Sequence, residues 1–122
     1  MANDTNDDVL TDERIAALKT IATSTLAHQL QMRGIRSTFF SGLKPLHPEL
    51  RMVGRARTLR YVALREDLQQ QYGGGLNAQR RAVEGLKPGD ALVIEARGVP
   101  DAATIGDIFA TRAFKLGATG IV

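Results

Sequence analysis

The run Gly106-Asp107-Ile108-Phe109 joins a glycine, an acid and the expected start of a helix. Glycine permits a tight turn, so Gly106 is expected in a backbone conformation or packing gap unsuited to a side chain. Asp107 puts negative charge where the helix dipole favours it. The amides of Ile108 and Phe109 belong to the first turn and lack intrahelical acceptors. Pointing outward, such amides form a ready site for a carboxylate or a phosphate. The alternative is an ordinary helix between two strands, because a glycine–acid pair is a short signal.

Other residue types could carry chemistry, and each has a plainer reading. The two histidines, His28 and His47, lie far apart in sequence, so His28 reads as a surface or partly packed residue, not a ligand. Arg51, Arg55, Arg57 and Arg60 cluster, as do Arg80 and Arg81. They could meet a polyanion or an acidic protein. Without interleaved aromatic residues they read as a solvated strand face, and nucleic acid is not the expected partner. Gly73-Gly74-Gly75 is not followed by Gly-Lys-Ser/Thr, so it reads as a flexible loop, not a phosphate cradle.

The elements that must position the glycine–acid turn follow from periodicity. Phe109, Ala113 and Leu116 recur at helical spacing and face inward, with Lys115 and Gly117 as stop features. Before the turn, 91–96 is short, almost wholly apolar and bounded by turn signals. It reads as a strand buried on both faces at the centre of a sheet. After the helix, 119–122 begins another strand. Upstream, 52–62 reads as a strand with Ala56, Thr58, Arg60 and Val62 on one face and Arg55, Arg57, Leu59 and Tyr61 on the other. Ser37-Thr38-Phe39-Phe40 is β-prone, 63–75 is polar, and 77–86 is a short helix. Thr11 or Asp12 opens a helix to about Thr20 with Ile15, Leu18 and Ile21 inward. A second runs from Thr23 or Ser24 to Arg33, pairs Leu26 with Leu30 and stops at Gly34. Residues 1–10 are expected to be a mobile tail. The order of helices and strands makes the fold α/β, a sheet flanked by helices.

Two stretches resemble the RraA-like family (regulator of ribonuclease activity A-like). One is Gly106-Asp107 together with the Gly-Ala-Thr-Gly-Ile-Val run that ends at Val122. The other is Gly42-Leu43-Lys44-Pro45-Leu46 followed by 52–60. The family includes divalent-metal aldolases for 4-hydroxy-4-methyl-2-oxoglutarate and related oxaloacetate decarboxylases. The resemblance implies a swivelling β/β/α sandwich, with 11–122 as the N-terminal part of a single domain, incomplete at the C-terminus. It implies assembly as a trimer or a hexamer. It implies Gly106, Ile108 and Phe109 as substrate-binding residues, with the amides of Ile108 and Phe109 on the carboxylate of a small 2-oxo acid. Asp107 would be the catalytic acid, hydrogen-bonding water of Mg²⁺ or Mn²⁺. The direct metal ligand and a polarising arginine, an Arg-Asp pair in the family, would lie beyond Val122. No residue of this chain is therefore assigned as a metal ligand, and the chain by itself is expected to be inactive. Where the family carries Ser-Asp-Ala-Leu in its N-terminal helix, this chain has Ala27-His28-Gln29-Leu30, so His28 stands in place of an acid.

Composition narrows the remaining classes. The 122 residues suit one small domain with a modest core. Formal net charge is +3, and there is no Cys or Trp. Disulfides and thiolate metal sites are excluded, which fits a cytoplasmic protein. No apolar run reaches membrane-spanning length, and the acidic N-terminus does not resemble a signal peptide. Three functions stay open: part of a metal-dependent aldolase or decarboxylase, a non-catalytic regulator that binds a ribonuclease or helicase, or a small oligomerisation domain.

Overall fold

A computed structural model describes residues 9–122. Most of the tail expected at 1–10 lies outside them. The chain forms two compact units, Met1–Arg51 and Met52–Val122.

The first unit holds α1 (Asp12–Thr20) and α2 (Thr23–Met32). Thr11 caps α1, its Oγ1 accepting from Arg14 N at 3.3 Å. Asp12 and Glu13 in the first turn and Lys19 in the last match the dipole. The expected stripe of Ile15, Leu18 and Ile21 is half-buried. In α2 the residue that packs fully is Ala27, while Leu30, expected to point inward, is exposed. Gly34 ends α2 at φ +81. Gly34 N donates to Gln31 O and Ile35 N to Leu30 O, the paired bonds of a Schellman stop. The β-prone run at 37–40 forms no strand. Ser37 is at positive φ, and Phe39 and Phe40 are exposed, so no partner strand rewards the local propensity.

The second unit is a three-stranded parallel sheet in the order β1-β2-β3, with α3 (Glu66–Tyr72) and α4 (Ala78–Glu84) between the first two strands and α5 (Asp107–Lys115) before the third. β1 (Arg55–Arg60) pairs with β2 (Asp90–Glu95) in a register that sets Arg57 beside Leu92 and Leu59 beside Ile94. β3 (Gly120–Ile121) lies on the other side of β2, and hydrogen bonds from Thr119 N to Asp90 O and from Val122 N to Leu92 O extend that ladder. The central place expected for the apolar strand is thus observed. Leu59, Leu92, Val83, Leu86 and Ala113 form the core, with α4 against β1 and α5 against β3.

One element was not anticipated. The stretch 63–75, read as polar and ending in a glycine loop, contains α3. Glu66 and Asp67 lie at the dipole's positive end, and Arg65 pairs with Asp67 at 2.5 Å. None of its residues is buried, and its apolar pair at helical spacing, Leu68 and Tyr72, stays exposed.

Asp90 is the buried acid of the unit, 1% exposed. Its Oδ2 accepts from Arg57 Nε at 2.9 Å and from Lys87 N at 2.9 Å. The carboxylate thus ties β1 to the turn that launches β2. That turn also touches the end of α5. Gly117, at φ +85, donates to Phe114 O while Ala118 N donates to Ala113 O, and a β-carbon at Gly117 would sit 3.0 Å from Pro88 Cα. Both handedness and space therefore call for glycine there.

Candidate functional site

The start of α5 is held in place from the chain that precedes it. After β2, Arg97 and Gly98 are both at positive φ, and Val99 N returns to Ala96 O at 3.3 Å, which reverses the chain. The backbone then approaches α5 through Thr104. The Thr104 carbonyl accepts from Tyr61 Oη and from Gln79 Nε2, each at 2.8 Å. One bond reaches it from the end of β1 and one from α4, so the segment before Gly106 is pinned to both. Burial pushes the Tyr61 phenol above its ordinary value, opposed by the hydrogen bond with Gln79. The phenol therefore stays a protonated donor at neutral pH.

Gly106 caps α5, as the sequence predicts, and the helix begins at Asp107. The reason given for glycine needs correction. Gly106 has φ −109 and ψ 175, an extended conformation open to any residue, and a β-carbon there would meet nothing within 4 Å. The turn is made upstream at Arg97–Gly98, so Gly106 itself is free of the constraint. Its carbonyl accepts from Ala110 N at 3.0 Å. Asp107 Oδ1 accepts from the amide of Ile108 at 2.9 Å. One of the two amides expected to face a ligand is therefore already met by the neighbouring carboxylate. Ile108 is 77% exposed, whereas Phe109 turns partly into the core beside Ala113.

All four residues line one open cleft of about 770 Å³. Its other wall comes from α4 and the residue leading into it: Leu76, Gln79, Arg80 and Glu84. Glu84 is not a free base. Arg112 reaches across from α5 and grips it in a fork, Nη2 to Oε2 at 2.7 Å and Nε to Oε1 at 3.0 Å. That guanidinium holds the Glu84 carboxyl below its ordinary value, and the carboxylate in turn raises Arg112. The sequence gives Arg112 no catalytic role, and the structure makes it the strap between α4 and α5. Gln79 and Thr104 are cleft residues that the sequence reading did not name, and it named Arg80 only as half of a charged pair and Tyr61 only as a strand-face residue. Nothing in the sequence brought them together, because residues from the end of β1, α4 and a loop share no local spacing.

The donor set can be weighed against a divalent cation. Such a cation takes several oxygen ligands. Among the described residues no three His, Cys, Asp or Glu side chains gather. Of the two carboxylates in the cleft, Glu84 is held by Arg112 and Asp107 gives one oxygen to Ile108 N. The residues present do not by themselves fit Mg²⁺ or Mn²⁺. His28, far along the chain, is exposed. No helix among the described residues is long and apolar enough to cross a membrane.

A family model, RraA-like (Aldolase/RraA), matches residues 22–122. The chain belongs to the RraA-like family. Among solved structures it is similar to Streptomyces coelicolor RraAS2, described as an unusual member of the RNase ES inhibitor RraA protein family. The likeness has a TM-score of 0.76 and 28% identity, over 91% of this chain and 52% of that one. The RraA-like chain thus spans about half the length of that relative. No curated protein matches it. The match covers both stretches quoted for the resemblance and contains the whole cleft.

Proposed function

We propose that this RraA-like chain binds the carboxylate of a small 2-oxo acid at the start of α5, as the substrate-binding portion of an aldolase or oxaloacetate decarboxylase site. The observation that carries this reading is the convergence of Gly106, Asp107, Ile108 and Phe109 on one cleft, with the positive end of α5 opening into it. First-turn amides supply fixed dipoles that need no reorganisation when charge arrives. Asp107 stands in two relations to such a ligand. It occupies the Ile108 amide, so a bound carboxylate must displace it, and its own negative charge opposes that carboxylate.

The test is a titration of pyruvate into the labelled chain, followed by amide NMR. Shifts centred on 106–109 are expected. In Asp107→Ala the Ile108 amide is released and a like charge removed, so pyruvate should bind more tightly. Undisturbed amides at 106–109 would refute the site. In a parallel assay, pyruvate release from oxaloacetate by the 122-residue chain should show no Mg²⁺ dependence beyond the ion's own background. Losing a metal Lewis acid removes several kcal/mol of transition-state stabilisation, about a thousandfold or more in rate. Metal-dependent turnover would place a cation site among residues to which this reading assigns none.

A second reading has its own support. RraAS2 is described within an RNase ES inhibitor family, so the chain could act as a non-catalytic regulator. Inhibition of RNase ES by a chain that ignores pyruvate would favour it. Assembly into a trimer or hexamer accompanies either reading, because the outer sides of β1 and β3 carry no strand among the described residues, and open edges invite pairing. Sedimentation of a monomer at high concentration would count against assembly.

A further inference from the structure

We propose that the outer edge of β1, with the groove beside it, takes an extended acidic segment of a partner protein as an added strand. This surface shares none of the residues that line the cleft at the start of α5, so it is independent of carboxylate binding there.

β1 ends the sheet order and pairs on one side only, with β2. Arg55 N and Tyr61 N, at the two ends of that pairing, donate to Gly89 O and Glu95 O. In a parallel ladder alternate residues bond to the same neighbour, so Ala56, Thr58 and Arg60 turn their N–H and C=O groups outward. All three residues are exposed, and no strand among the described residues covers them. An open edge of this kind is a template for a further strand.

Side chains narrow the occupant. A groove of about 350 Å³ lies beside the edge, lined by Ala56, Arg57 and Thr58 from β1 and by Arg81, Ala82 and Gly85 from α4 and its end. The two charged residues of that lining are both arginines. Arg57 gives its Nε to Asp90, and Arg81 gives Nη1 to Leu76 O. The remaining nitrogens of the two guanidinium forks have no acceptor among the described residues. A strand with carboxylates on its α4 side would meet both forks while its backbone pairs with 56, 58 and 60. Pairing β1 with β1 of a second copy would instead set arginine against arginine, and like charges directly opposite are destabilising. Single-stranded RNA would supply charge without a ladder, and no aromatic side chain lines the groove to stack its bases.

The probe is a capped peptide, Thr-Glu-Thr-Glu-Val-Glu-Thr, titrated into the 122-residue chain. Amide NMR should show shifts centred on 56, 58 and 60, with slowed hydrogen exchange at those amides. The same peptide with Gln for Glu should bind about five-fold more weakly, the scale of one exposed ion pair. Arg81→Gln should weaken the Glu peptide by a similar factor and leave the Gln peptide unchanged. N-methylation of the Glu peptide's backbone keeps its charge, removes its ladder donors and should abolish binding, with the protein untouched. Equal binding of the Glu and Gln peptides, unaltered binding of the N-methylated one, or shifts absent from 56–60 would overturn the proposal. Oligouridylate that binds the same amides more tightly than the peptide would make the edge a nucleic-acid site instead. Protection of those amides that grows with protein concentration, without peptide, would make it an interface between copies. Either result also overturns the acidic segment as occupant.

Discussion

Removing the Asp90 carboxylate should loosen the join between β1 and β2 by an amount that can be worked out in parts. Asp90 Oδ2 holds Arg57 Nε and Lys87 N, each at 2.9 Å. Arg57 is 47% exposed, so its attraction to Asp90 is screened by solvent and is worth only about 1 kcal/mol. The bond to the Lys87 amide adds about 1 kcal/mol, because its loss leaves a part-buried donor without an acceptor. Asp90→Ala removes both and should destabilise by about 2 kcal/mol. Asp90→Asn keeps an acceptor for Lys87 N and should lose about half as much. Urea unfolding at pH 7, with the slope checked against wild type, measures both variants. A double-mutant cycle with Arg57→Ala isolates the ion pair. An Ala variant within about 0.5 kcal/mol of wild type would refute the reasoning, since that is the range of substitutions that touch nothing special. So would an Asn variant weaker than the Ala variant.

Three further outcomes follow from the same geometry. Gly117→Ala should lower stability by about 1–2 kcal/mol, because φ +85 strains an L side chain and the new β-carbon meets Pro88; an unchanged melting temperature would contradict it. Gly106→Ala should leave the fold within a few tenths of a kcal/mol of wild type, about what a change at an extended cap position without a side-chain bond involves; a drop above about 1 kcal/mol would restore a structural need for this glycine. Glu84 has a carboxyl held below its ordinary value by Arg112, so its contribution is complete above the unfolded-state value of 4.5 and is lost as pH falls through the lower folded-state value. Arg112→Gln should flatten that acid limb in melts taken across the window, and an unaltered pH dependence would show that the strap contributes nothing.

Where local chemistry was strong, the sequence was enough to place the elements. The apolar run after Pro88-Gly89 could only be satisfied at the centre of a sheet, and β2 is there. The spacing of Phe109, Ala113 and Leu116 and the glycine stop at Gly117 defined α5 and its inward face. The two stretches that resemble the RraA-like family fall inside the family match. Other features needed the tertiary structure. α3 buries none of its residues, and its single apolar pair, Leu68 and Tyr72, is a short signal set among polar residues over 63–75. The β-prone run at 37–40 formed no strand, because strand propensity is realised only against a partner. The Ile108 amide was legible as an orphan donor, but its capture by Asp107 depends on a side-chain rotamer that spacing does not encode. Arg80 read as half of a charged pair with Arg81. Only the packing of α4 beside α5 sets it across a cleft from Gly106 and Asp107, residues about twenty-five positions further along the chain. Periodicity reports which face of an element is buried. It carries no information about which two elements meet, because that is decided by long-range burial in the core formed by Leu59, Val83, Leu92 and Ala113.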